Sequence, residues 1–273
     1  MRFPGGNGLG GQPVVQPDGT VIVPYEGGAG IRSFRSTDGG ATWQTSVAVA
    51  SVSEHGVAGN LRTSPLPSAE VAHDGKVYVV WQDCRFRNNC SSNDIVMSTS
   101  SDGVAWTTPV RIPIDAATSG VDHFIPGIAV DKSTEGSTAH LALGYYYYPV
   151  ASCSTSTCQL TVGFVSSTDG GTTWTQPRKV AGPVSLSWIA STNQGVMVGD
   201  YMSTSFAGGN FAFPVFAVAK APTSGTFDER MYSARFDVTV QSGPLVRVRR
   251  DRIRFKRHNL PPDLFDELPP IPN

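Results

Sequence analysis

Charge is scarce in this sequence: Asp, Glu, Lys and Arg make up 16% of its 273 residues, and the formal net charge is −1. A chain so balanced has no overall field to steer nucleic acid or a membrane surface toward it, so neither is expected as a partner. Long apolar runs are missing too. No stretch approaches the ~18 uninterrupted apolar residues of a membrane-spanning helix, and the opening residues 1–6 lack the hydrophobic core of a signal peptide. The five histidines are scattered. No Ser-His-Asp order, phosphate loop or dinucleotide fingerprint is present, so neither a metal nor a cofactor is expected. Cysteine is limited to four residues in two tight pairs, Cys84 with Cys90 and Cys153 with Cys158. Their spacing is not Cys-x-x-Cys and no histidine stands beside them, which argues against zinc. They read as two local disulfides of an exported protein, the alternative being four reduced thiols. Disulfides without a signal peptide lead to the expectation that the chain is part of a longer exported protein.

What the sequence has in quantity is glycine (29) and proline (20), the punctuation of an all-β chain of short strands and tight turns. It also repeats itself. Ser36-Thr37-Asp38-Gly39-Gly40-Ala41-Thr42-Trp43 returns as Ser167-Thr168-Asp169-Gly170-Gly171-Thr172-Thr173-Trp174, and a shorter copy runs from Ser100 through Asp102 to Trp106. A recurring period of about 65 residues is the length of a whole small sheet. Within each copy an Asp carboxylate can accept hydrogen bonds from following backbone N–H groups, and glycine supplies positive φ. The Trp43, Trp106 and Trp174 rings are expected to start the outgoing strands and to pack between sheets.

Around these turns each repeat spells four strands, here A to D. In the first, A is 12–15, B 20–25, C 31–35 and D 43–50. In the second they are 64–72, 76–81, 94–99 and 106–112, and in the third 124–130, 139–146, 160–166 and 174–180. A fourth unit has 199–206, 211–219 and 231–240 but no Asp turn, so its outer strand is absent or reduced. The units therefore span roughly 10–50, 61–113, 122–182 and 194–243. The tail, 244–273, reads as a basic stretch (247–257), usable as an outer strand or an arm, followed by a Pro-rich acidic end expected to be disordered. In an antiparallel four-stranded sheet the C-to-D turns share one end with the A-to-B turns. The B-to-C loops and D-to-A connections share the other, and functional residues are expected there.

The Ser-x-Asp-x-Gly-x-Thr-Trp pattern resembles the Asp box, or BNR repeat, of the sialidase-like β-propeller family. The resemblance implies an all-β propeller of four-stranded antiparallel blades, about four of them here where the related enzymes have six. Asp38, Asp102 and Asp169 would be structural. It further implies an exported exo-glycosidase acting on sialylated or related glycans. Arg62-Thr63-Ser64-Pro65, Asp83-Cys84-Arg85 and Asn93-Asp94-Ile95 follow the family's order. By resemblance Arg62 would grip the sugar carboxylate, and Arg85 and Arg87 would assist. Asp83 or Asp94 would be the acid/base, Tyr201 the nucleophile and Glu229 its base. Asp122, His123 and Asp200 fall on the same end as substrate contacts. The other reading is a non-catalytic propeller that binds glycans or proteins through this loop-rich end. Arg62, Asp83 and Arg85 would then merely tie neighbouring blades together.

Overall fold

In the computed structural model, residues 7–28 and 30–240 are described. The tail expected from 244 onward lies outside them.

The described residues form eighteen strands, β1 (Val14–Val15), β2 (Val21–Glu26), β3 (Gly30–Ser36), β4 (Val47–Ser51), β5 (Ser68–Val71), β6 (Val77–Asp83), β7 (Asp94–Ser100), β8 (Val110–Arg111), β9 (Asp122–Val130), β10 (Leu141–Tyr148), β11 (Gln159–Ser167), β12 (Arg178–Ser185), β13 (Ser191–Thr192), β14 (Gly195–Val196), β15 (Ser203–Phe206), β16 (Phe211–Thr223), β17 (Thr226–Ser233) and β18 (Phe236–Asp237). They build three four-stranded antiparallel meanders, β1–β4, β5–β8 and β9–β12. In a fourth sheet, β15-β16-β17, the broken strand β18 continues the third edge by pairing with β16. The first strands of successive sheets, β1, β5, β9 and β15, lie beside one another in that order. This is the radial arrangement of a β-propeller, with the A strands innermost.

Burial explains the stacking. Strand β6 is buried at all seven positions. Its Val77, Val79 and Trp81 join Val14, Ile22 and Ile31 of the first sheet, while Tyr78 and Val80 join Ile128, Leu141 and Leu143 of the third. Alternate side chains thus serve opposite neighbours, which only a sheet covered on both faces permits. Phe124, Tyr146 and Tyr148 make the same contact from the third sheet toward Phe216 and Met202 of the fourth. There the backbones approach so closely that a Cβ on Gly127 would stand 2.3 Å from the Met202 carbonyl oxygen.

The repeated turns fold as their chemistry dictates. Ser36 Oγ donates to Asp38 Oδ1 at 2.7 Å, and Asp38 then accepts from the Thr42 N–H at 2.9 Å and from its hydroxyl at 2.6 Å. Asp169 repeats this with Ser167 and Thr173, and Asp102 with Ser100, Val104 and Ala105. The outgoing strands begin later than expected: β4, β8 and β12 start at Val47, Val110 and Arg178, four residues past each tryptophan. Threonine is the reason in two of the three. Thr107 and Thr175 take the Thr99 and Ser166 N–H groups on their hydroxyls, in place of ladder carbonyls. The tryptophans are half-buried under the turns, and Trp106 Nε1 reaches Ser33 of the first sheet at 3.0 Å.

The two ends of the sheets separate as the topology requires. At the turn end, Gln16 donates to the carbonyls of Gly75 and Ser101. At the opposite end, the mouth, Cys84 N–H donates to Ser53 O and Arg62 N–H to Val196 O. The hairpin β13–β14, unmarked in the sequence, forms part of this rim, with Val196 bridging Leu61 in parallel.

Candidate functional site

Both cysteine pairs are disulfides, Cys84–Cys90 and Cys153–Cys158, with Cα atoms 4.8 and 4.9 Å apart. Each closes a B-to-C loop at the mouth. The first loop is also held by ions. Arg87, whose side chain is wholly buried, places Nε and Nη2 on Asp94 at 2.9 and 2.6 Å. It also bonds Asp115 and the carbonyls of Ala116 and Ser119. Arg111, which no motif marked, lies 2.8 Å from Asp94 and also pairs with Asp115. Burial raises the Asp94 pKa and the two guanidinium groups draw it back.

Asp83 is equally enclosed. Its carboxylate accepts from Trp81 Nε1, the Arg85 N–H and guanidinium, and the Ser53 N–H. Asp83 and Asp94, the acid/base candidates of the sequence, are both buried, with each carboxylate oxygen accepting from at least one protein donor. Arg85 and Arg87 are likewise spent on internal carboxylates. These four residues tie blades and loops together.

His123 is buried beside Tyr145 and Tyr147, with Nδ1 3.3 Å from Asn93 O. Its ligand atoms and those of Asp94 and Asp115 lie within 4.8 Å of one another. That is the donor set of a metal site, which the sequence did not foresee, but Arg87 and Arg111 already neutralise both carboxylates and a cation would have to displace them. Burial lowers the His123 pKa to about 4, the Asp115 carboxylate opposing it. The unfolded chain takes up a proton at the ordinary value of about 6.5, so the contribution of His123 is complete above that pH and is lost as pH falls toward 4. Replacing His123 with Gln is therefore expected to flatten the stability curve between pH 6.5 and 4 by on the order of 3 kcal/mol. Urea unfolding of both proteins at several pH values checks it, and parallel curves would refute it.

Of the remaining sequence candidates, Arg62, Asp122, Asp200 and Tyr201 stand near the starts of first strands, and Glu229 lies on β17 opposite Ala219. Arg62 holds Asp200 through both prongs, Nε to Oδ1 and Nη2 to Oδ2, each at 2.9 Å and only partly exposed. Tyr201 is 45% exposed. Burial and then Asp200 raise its pKa, against a hydrogen bond with Gln12. Glu229 is raised by burial and engages the backbone of Ala190, so it and Tyr201 are held by different partners. Asp122 accepts the N–H and side-chain amide of Asn93 on Oδ1, while its buried Oδ2 has no partner. Burial raises its pKa.

One residue the sequence reading missed completes the group. Glu54, in the connection from β4 to β5, is open to the mouth, and its Oε1 accepts from Gln82 Nε2 at 2.8 Å. Burial raises its pKa first, with the nearby Glu26 and Asp122 adding to the rise. Glu54 sits in a stretch without periodicity or turn signal, and only the closing of neighbouring blades brings Glu26, Gln82 and Asp122 to it. At the far end a cleft of about 370 Å³ is lined by Glu70, Asp131, Lys132 and the turn at Gly208 and Gly209. There Lys132 lies 3.9 Å from Glu70, offsetting the rise that burial gives its pKa.

The sheets and their radial order define the chain as a β-propeller. No family model matches it, and no curated protein does. Among solved structures it is similar to an α-L-arabinanase from Penicillium chrysogenum complexed with arabinobiose, at 16% identity and a TM-score of 0.50. That match covers 84% of this chain and 63% of the other, so the chain spans less than two thirds of that protein's length. An α-L-arabinofuranosidase from Fusarium graminearum gives 16% identity and 0.47, over 84% of this chain and 62% of the other. An intramolecular trans-sialidase from Ruminococcus gnavus gives 15% and 0.43, over 88% and 45%. The likeness to the arabinanase is one of fold.

Proposed function

We propose that the chain carries the mouth of an exported propeller glycosidase that acts on neutral glycans, with Glu54 as its general acid. The observation that carries this reading is the set Glu54, Glu26 and Asp122: partial burial and then the like charges shift the exposed Glu54 toward its protonated form, against the Gln82 hydrogen bond. A glycosidase needs such an acid to protonate the leaving oxygen, and a second carboxylate to stabilise the cationic transition state or activate water. Glu26, which is partly exposed, is the candidate for that second role. The two disulfides support an oxidising compartment. The arabinanase likeness favours a carbohydrate as ligand by analogy of fold alone.

Neutral glycans are favoured over sialylated ones because the mouth arginines are already paired: Arg62 with Asp200, Arg85 with Asp83, Arg87 and Arg111 with Asp94 and Asp115, and Arg230 with Asp228. The sialidase reading keeps one argument. The Arg62 fork grips Asp200 bidentately, as it would a sugar carboxylate, and Tyr201 stands next to that aspartate. Incubation with arabino-oligosaccharides, other neutral glycosides and a fluorogenic sialoside separates the readings. Turnover is expected on a neutral substrate only. Sialoside cleavage abolished by Arg62→Lys would establish the sialidase reading instead, and glycan binding without any turnover would leave a lectin-like propeller.

A further inference from the structure

We propose that Gln82 is the positioning residue of the mouth acid, holding Glu54 with Oε1 committed as an acceptor so that the acidic proton resides on Oε2. The inference rests on the reading of Glu54 given above. It starts from a strained backbone: Ile125 has φ of +48° within β9, a region that a β-branched side chain rarely enters. The register slips there, Gly144 facing Gly127 and Tyr146 facing Phe124, so Ile125 and Pro126 together oppose Tyr145. Such a bulge re-aims the groups beside it. Here it turns the Ile125 N–H away from the ladder and onto Gln82 Oε1 at 3.2 Å.

That contact fixes the amide. A backbone N–H can only donate, so the carbonyl oxygen of Gln82 must face it, and its NH₂ group must face Glu54. Gln82 is fully buried and paired through its backbone with Ile95 of β7, so the side chain has no room to invert. A carboxyl group whose Oε1 accepts an N–H carries its proton on the other oxygen. The hydrogen bond also favours the ionised form, restraining the rise imposed by burial, by Glu26 from the end of β2 and by Asp122 from the start of β9. The other titratable and charged groups nearby are otherwise engaged: Asp83 with Ser53, Arg85 with the Ser51 carbonyl, and the His55 ring with the Cys90 carbonyl.

The test is a carboxyl ¹³C titration of Glu54 in the whole chain and in two variants. Gln82→Leu removes the donor and is expected to raise the Glu54 midpoint by about one pH unit. The basic limb of the kcat profile should move by the same amount while KM changes little. Gln82→Glu keeps an acceptor for the Ile125 N–H but sets a second carboxyl beside Glu54, and is expected to give a coupled two-step titration. An unmoved midpoint in a folded Gln82→Leu protein overturns the proposal. If that variant does not fold, a single unshifted step in Gln82→Glu overturns it. Should Glu54→Gln keep full turnover while these midpoints shift, the acid assignment fails and the role of Gln82 toward Glu54 stands.

Discussion

Replacing Arg87 with alanine is expected to destabilise the chain by about 3–5 kcal/mol, the cost of leaving buried charge uncompensated. The guanidinium is wholly enclosed and joins four points: Asp94 on β7, Asp115, and the Ala116 and Ser119 carbonyls of the connection to β9. Without it, Arg111 remains as the cation on Asp94 and Asp115, the Ser119 carbonyl loses the guanidinium, and the Ala116 carbonyl is left with the Ser119 N–H. Removing both charges at once should cost less, because well-packed apolar side chains can replace a buried ion pair. Arg87→Met with Asp94→Leu is thus expected to recover part of the loss. Urea unfolding with unchanged m-value measures both. A loss below about 1 kcal/mol for Arg87→Ala, the range of an exposed pair, would show that the network adds little.

The second large effect is chemical. Glu54→Gln is expected to lower kcat by about 10²–10⁴-fold with little change in KM, the usual contribution of a positioned acid. The fold should be undisturbed, since the new amide oxygen can still accept from Gln82. The loss should be greatest on natural glycans, whose leaving alkoxide needs the proton, and smaller on nitrophenyl glycosides, whose leaving group does not. The pH dependence has a defined sign. Burial and like charges raise the Glu54 pKa, so activity needing the protonated form falls as pH rises through that raised value. Loss of this basic limb in Glu54→Gln, measured on a nitrophenyl substrate, ties the limb to the residue. An unaltered limb would assign it elsewhere.

Much of the architecture was legible in the sequence because its turns are chemically explicit. Asp18-Gly19, Asp74-Gly75 and the three Ser-x-Asp turns fix where strands reverse, and alternation fills the intervals. In the first three sheets the B and C strands fall within two residues of their expected bounds, as at β7 and β11. The second and third D strands were misjudged because Thr107 and Thr175 imitate ladder carbonyls with their hydroxyls, which residue type alone does not reveal. In the fourth unit the third strand begins at Thr226 rather than 231 and breaks between β17 and β18.

The site was less legible, for a physical reason. Motif reading favoured Asp83, Arg85 and Asp94 because they stand in a recognisable order, yet that order encodes saturated internal ties. Glu54 has no such neighbours in sequence. Its environment is assembled from Glu26, Gln82 and Asp122, which belong to three different sheets, so only tertiary closure creates it. The strain at Ile125 is equally invisible, since nothing in Phe-Ile-Pro-Gly announces a positive φ at isoleucine.

The most direct test of the account is a crystal structure of the Glu54→Gln variant holding an uncleaved neutral oligosaccharide. The account predicts the sugar in the mouth, with a glycosidic oxygen about 3 Å from the side chain at position 54 and Glu26 on the other side of the bond. A sugar seated instead in the cleft of Glu70, Asp131 and Lys132, or bound at the mouth with its glycosidic oxygen far from position 54, would contradict it.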